Sequence, residues 1–222
     1  APRQGPLADI RVVEMGTMIA GPFCGQLLAD HGAEVIKLEQ PGVGDPMREW
    51  GKEKPHGKAL FWPVLGRNKL SATLNAREAD GQALVKKLVE NADILLENFR
   101  PGTMERWGLG YEDLSAINPK LIMISSCLMG QTGPWRNFTG FGNLAANVTG
   151  FQPLASWPDR PPAGPYGAYT DFIGVRYNAA SILAALEYRD QTGRGQYIDQ
   201  SQAESALHFL GPAFLSHAAN GH

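Results

Sequence analysis

Apolar residues recur along this chain in two alternating rhythms. The β-branched run IRVVEM (10–15) gives way to the loop GTMIAGP, an amphipathic helical stretch near Phe23 to Asp30, the break HGA, and a second apolar run, EVIKLEQP. The unit then recurs: KLSATLN reads as a strand, AREADGQALVKKLVENA as a helix with acidic residues early and lysines late, and DILLENF as a strand. YEDLSAIN predicts a further helix and KLIMISSC a buried strand. From Leu128 to Ala168 the periodicity fades into glycine, proline, asparagine and aromatics, which predicts a long ordered loop or lid. A long apolar helix follows Asp171, then the turn QTGRGQ, the strand YIDQS and a closing helix, AESALHFLGPAFLSH.

Alternating strands and helices imply parallel strand pairs, because parallel neighbours need crossover connections. The expected fold is therefore α/β: an open, mostly parallel, Rossmann-like sheet with helices on both faces. Ligands of such sheets bind beyond the carboxyl ends of the strands, which here means MGTMIAGP, LEQPGVGDPMREWG, ENFRPGTMERWGLG and SCLMGQTGPW.

Composition narrows the function classes. With 222 residues, 43% hydrophobic and 19% charged, the chain can bury a substantial core. A net charge of −2 and no basic run interleaved with aromatics make nucleic acid an unexpected partner. Cys24 and Cys127 lie far apart without CxxC or Cys/His spacing, and the five histidines (31, 56, 208, 217 and 222) are scattered, so no disulfide framework or metal site is signalled. A cytoplasmic setting is the expectation. The start lacks a signal-peptide pattern and no apolar run approaches the ~18 residues of a membrane span, so no membrane partner is expected. Neither GxGxxG after the first strand nor GxxxxGK[ST] is present, which excludes the usual dinucleotide and P-loop signatures.

Three side chains invite chemistry. Arg100 and Arg106, just past ENF, can fork onto phosphate oxygens; the alternative is two surface charges. Asp171 opens the long helix, where it can serve as an N-cap in competition with Thr170, or as a carboxylate held for chemistry. The two roles are compatible, since a helix N-terminus is expected to lower a carboxylate's pKa and keep it ionised. An ionised carboxylate can attack an activated acyl group.

Four long segments, IAGPFCGQLLADHGAEVIKLEQPGVGDPMREWG, ENFRPGTMERWGLGYEDLSAINPKLIMISSC, GQTGPW and YTDFIGVRYNAASILAALEYRDQTGRGQYIDQSQAESAL, resemble in order and spacing the class III CoA-transferases of the CaiB/BaiF and formyl-CoA transferase type. The resemblance implies that Asp171 attacks an acyl-CoA thioester to give a mixed anhydride, and that CoA thiolate then converts it into an aspartyl-CoA thioester, with no metal required. It places CoA near Lys37, Asn98, Phe99, Arg100 and Arg106, and the acyl group near Met18, Ile19, Phe141 and Gly142. Plainer readings stand beside these: a solvated strand-end lysine for Lys37, core packing for Phe99, and apolar packing for Met18 and Ile19. Racemases of the same superfamily carry a His-Asp pair where this chain has Phe141 and Gly142, which cannot take or give a proton, so transfer is favoured over racemisation. Formyl-CoA transferases place a tyrosine and an acid there instead. Trp135, Phe138, Phe141, Phe151 and Trp157 suggest a roomy apolar acyl pocket, hence an aromatic acceptor acid such as benzylsuccinate, with succinyl-CoA as donor. The alternatives are an acyl-CoA racemase, a CoA-dependent lyase, or a non-catalytic CoA-binding module. Members of the family are longer, so residues 1–205 are expected to form the large CoA-binding and catalytic domain, with 206–222 a helix leading toward a small domain absent from these residues. The resemblance further implies an interlocked homodimer for the complete protein and little activity for these 222 residues alone.

Overall fold

The computed structural model describes residues 3–52, 54, 57 and 59–221; His56 and His222 lie outside them. Six strands form one sheet: β1 (Arg11–Glu14), β2 (Glu34–Glu39), β3 (Lys69–Thr73), β4 (Ile94–Glu97), β5 (Ile122–Cys127) and β6 (Tyr197–Ser201). Their order is β3-β2-β1-β4-β5-β6 and every pairing is parallel. This is the doubly wound order, whose direction of winding reverses between β1 and β4.

Successive side chains of a strand point to opposite faces, and both faces are covered here. Val12, Ile94, Leu96, Ile122 and Ile124 pack against Cys24 and Leu28 of α1 (Ala20–Asp30) and against Val175, Ile182 and Leu186 of α8 (Tyr169–Thr192). Val13, Leu95, Leu121 and Met123 face the other way, onto Val85 and Val89 of α3 (Ala79–Val89), Met104 of α4 (Thr103–Arg106) and Leu114 of α5 (Tyr111–Ile117). Each central strand thus needs apolar residues on both faces, which is why VV, ILL and IMI read as continuous runs.

The sheet and its layers match the expectation, but several helices depart from it. Helix α1 begins at Ala20, three residues before the expected start, and α2 (Phe61–Leu65) and α4 were not anticipated. The segment 128–168 is not a plain loop: α6 (Gly142–Val148) and α7 (Phe151–Ala155) interrupt it, both too short for period counting. The closing helix is divided into α9 (Gln202–Leu207) and α10 (Gly211–Asn220) by a 3-10 turn at His208–Leu210, next to Pro212, which lacks an N–H for a continuous helix. Among the described residues no helix is long and apolar enough to cross a membrane.

Candidate active site

Asp171 is the third residue of α8, and it does not cap that helix. Ala168 occupies the cap position without a side-chain bond. The carboxylate instead leaves its own helix: Oδ2 accepts the Gly142 N–H at 2.8 Å and Oδ1 accepts Nε2 of Gln202 at 3.1 Å. Thr170 does not cap either; its Oγ1 lies 3.0 Å from the Gly142 carbonyl oxygen and 3.1 Å from Oε1 of Gln202. The capping expectation is therefore replaced by a cross-element clamp in which α6 and α9 hold a side chain of α8. Asp171 is only 9% exposed. Burial pushes its pKa above the ordinary aspartate value, against the lowering effect of the Gly142 N–H and Gln202. The expected depression by the helix N-terminus is thus corrected in sign, because desolvation outweighs it.

Gly142 is part of this clamp, its N–H spent on Asp171. A Cβ at position 142 would fall 2.4 Å from Asp171 Oδ2, 2.7 Å from the Asp171 backbone nitrogen and 2.9 Å from the Ala168 carbonyl oxygen. Two of the three obstacles are backbone, so the clash cannot be relieved by rotating a side chain. Gly142→Ala is expected to cost about 1–3 kcal/mol in urea denaturation, the usual cost of overpacking.

A cavity of about 460 Å³ opens in front of Asp171 and Gln202. Met18, Asn98, Phe99, Arg100 and Phe141 line it, so five of the expected site residues meet there, joined by the unanticipated Arg136 and Gln202. A second cavity of about 270 Å³ shares Thr17 and Phe99 as a common wall and is bordered by Lys37, Asp45, Asn75, Arg77 and Trp107. Both sit at the carboxyl ends of β1 and β4, where the winding reverses. Ile19 and Arg106 line neither: Ile19 is the residue before α1, and Arg106 is exposed with Nη2 donating to Thr103 Oγ1 at 2.8 Å. Of the five aromatics expected around an acyl pocket, Phe138 and Phe141 line the Asp171 cavity. Trp135 packs near Phe138 on the outer side, and Trp157 is exposed beside Arg160. Phe151 is buried against Tyr169 at 5.1 Å, a core residue and not a pocket residue.

Lys37 is no solvated strand end. It is 1% exposed, and Nζ is shared among Glu14 Oε1 at 3.0 Å, Asp45 Oδ2 at 2.9 Å and the Gly16 carbonyl at 2.8 Å. Those contacts use its three donors, so the ammonium is not free to fork onto phosphate. Burial lowers its pKa, but the charges of Glu14 and Asp45 outweigh that and leave it raised. Glu14 also takes Lys69 at 2.6 Å, and Gly25 lets α1 pass close by, since a Cβ there would fall 1.9 Å from Glu14 Oε2.

This buried quartet anchors the β1–α1 turn. Met18 has φ +64, a strained value for a side-chain-bearing residue, and its N–H is held by Asp45 at 3.2 Å to each carboxylate oxygen. Asn98 grips the residue before it, accepting the Thr17 N–H at 2.8 Å and donating to the Thr17 carbonyl at 3.0 Å. Asn98 therefore shapes the cavity wall with its amide already engaged.

Asp45, Gln202 and Arg136 escape sequence reasoning for different reasons. Asp45 hides in a glycine-rich turn, and Arg136 in a segment without periodicity. For Gln202 a signal existed: it directly follows a strand, at the end where ligands of open α/β sheets bind.

The family of this chain follows from comparison with known proteins. The model of CoA-transferase family III matches residues 7–222, and the chain belongs to that family. It is 49% identical over 217 residues to succinyl-CoA–D-citramalate CoA-transferase of Chloroflexus aurantiacus, covering 98% of this chain and 54% of that protein. It is 38% identical to succinate–glutarate CoA-transferase of Agrobacterium fabrum, covering 90% of this chain and 51% of that protein. A crystal structure of a CaiB/BaiF family protein from Brucella suis superposes with a TM-score of 0.94 at 36% identity, over 99% of this chain and 59% of that one. The chain thus spans about half the length of the curated relatives it matches.

Proposed function

We propose that the full protein transfers CoA from succinyl-CoA to a small dicarboxylic acid, with Asp171 as the nucleophile. The observation that carries this reading is a buried carboxylate at a cavity, held by two N–H donors and facing no second carboxylate or histidine among the described residues. Oδ1 attacks the thioester carbonyl, the C–S bond breaks and CoA leaves as the thiolate, giving a mixed anhydride. The thiolate then adds to the Asp171 carbonyl and expels the donor acid, forming an aspartyl-CoA thioester. The acceptor carboxylate repeats the sequence in reverse, and Asp171 is regenerated. Every step exchanges one activated acyl group for another, so ATP has no part in it.

Racemisation needs two opposed proton-transfer groups, and the Phe141–Gly142 position supplies none. The second cavity, with Arg77 at its edge and Phe99 on the shared wall, suits the nucleotide end of CoA, while Arg100 lies nearer the thioester. Arg136 then faces the acyl group, where it can pair with a carboxylate at its far end. A small diacid fits this arrangement better than an aromatic acid such as benzylsuccinate, since only Phe138 and Phe141 of the five aromatics reach the cavity. The names of the relatives support the same substrate class.

With the full-length protein and succinyl-CoA, citramalate, malate or glutarate is expected to accept CoA in preference to butyrate. Arg136→Gln is expected to raise KM for the diacid about tenfold, the worth of one charge-assisted contact, and to leave KM for butyrate unchanged. Equal use of butyrate and diacids by the wild-type protein would refute the substrate class.

A further inference from the structure

We propose that Gln202 is a positioning residue for Asp171: its amide aims the carboxylate oxygen that attacks, and the Thr170 hydroxyl holds the other end of that amide. The inference rests on Asp171 being the nucleophile. The two carboxylate oxygens are not equivalent. Oδ2 is closed in by Gly142, where even a methyl group would approach to 2.4 Å. Oδ1 lies beside Gln202, which lines the cavity while being 4% exposed. Oδ1 is therefore the oxygen left to attack.

The hydrogen count around Thr170 gives the rest. Its Oγ1 stands within bonding distance of two acceptors, the Gly142 carbonyl at 3.0 Å and Gln202 Oε1 at 3.1 Å, yet a hydroxyl has one proton. With Asp171 ionised, Oδ1 requires a donor; Nε2 supplies it, Oε1 turns to Thr170, and the hydroxyl proton goes to Oε1. With Asp171 protonated, a second arrangement is equally complete. The acid donates to Oε1, the turned amide donates through Nε2 to Thr170, and the hydroxyl donates to the Gly142 carbonyl. One proton and a half-turn of the amide separate the two sets.

In the ionised set Gln202 opposes the effect of burial and points a lone pair of Oδ1 into the cavity. When thiolate later adds at the Asp171 carbonyl carbon, the electron pair moves onto Oδ2, where the Gly142 N–H already waits at 2.8 Å. Collapse then breaks the bond from that carbon to Oδ1, and the donor acid departs with this oxygen. Among the described residues the other charged or titratable side chains lining this cavity are Arg100, Arg136 and Cys127; on the packed elements, Arg176 of α8 lies over Phe23 and His208 after α9 stacks on Tyr177.

The test compares Gln202→Met and Thr170→Val with wild type in the full-length protein, measuring kcat/KM for succinyl-CoA against pH. Gln202→Met keeps the length and removes the donor. Its kcat/KM is expected to fall about tenfold on the acid side, with the acid limb moved to higher pH, because the ionised form has lost a partner. Thr170→Val moves the limb the same way by less, and carries the test alone if Gln202→Met does not fold. Acid limbs coincident with wild type in active variants would overturn the inference while leaving Asp171 as nucleophile. Exchange surviving in Asp171→Asn would instead remove the reading on which it rests.

Discussion

Asp171→Asn in the full-length protein is expected to abolish the proposed CoA exchange between succinyl-CoA and its acceptor acid, with a loss on the order of 10⁴-fold or more, as when an enzyme loses its nucleophile. The amide cannot form the anhydride, and among the described residues no neighbouring carboxylate lines the cavity to replace it. The fold is expected to survive. The Asn oxygen still accepts the Gly142 N–H, and the Gln202 amide turns so that its oxygen receives the new N–H. Stability distinguishes this loss from misfolding. The raised pKa of Asp171 means that the folded state holds its proton more tightly than the unfolded one. Any stability from that proton is present at low pH and lost as pH rises through the folded-state value. A neutral amide escapes this loss, so the variant melts at or above the wild-type temperature at pH 8. Hydroxylamine added during turnover gives the matching chemical readout: a hydroxamate at residue 171 in wild type and none in the variant.

The parallel sheet was readable because VV, ILL and IMI are short runs apolar on both faces, and they alternate along the chain with longer amphipathic helical stretches. Asp171 was readable only as a residue with two possible roles. Its partners come from Gly142 and Gln202, which lie 29 and 31 residues away on other elements, so local sequence cannot pair them. Local reasoning also erred on the sign of the charge effect, since it counted the helix N-terminus without the burial that α6 and α9 impose. The plainer reading of Lys37, a solvated strand end, is overturned for a related reason. A lysine at a strand end reads as solvated until Glu14, one strand away, and Asp45, eight residues on, are brought to it. What the chain places next to a charge decides what that charge can do, and the motif resemblance pointed to these residues without revealing their neighbours.

That dependence gives Glu14 the largest expected effect on stability. Its carboxylate lies between two lysines whose side chains are each 2% exposed, with Nζ of Lys37 at 3.0 Å and of Lys69 at 2.6 Å. Glu14→Ala leaves both ammonium groups buried, Lys37 with Asp45 as its one counter-charge and Lys69 with none among the described residues. Removing one member of a buried ion pair costs about 3–5 kcal/mol, because the charge left behind has neither water nor partner. Glu34 is the control: its pairing with Arg11 is partly exposed, so Glu34→Ala should cost no more than about 1 kcal/mol. The pH dependence separates charge from cavity. Burial already holds the Lys69 pKa below that of a free lysine, and loss of Glu14 lowers it further. The unfolded chain then binds more protons than the folded one, so the stability of Glu14→Ala rises with pH toward the ordinary lysine range. Urea denaturation at pH 7 and pH 9.5 measures that slope; a deficit equal at both values would mean that the lost contacts, and not the stranded lysines, account for the cost.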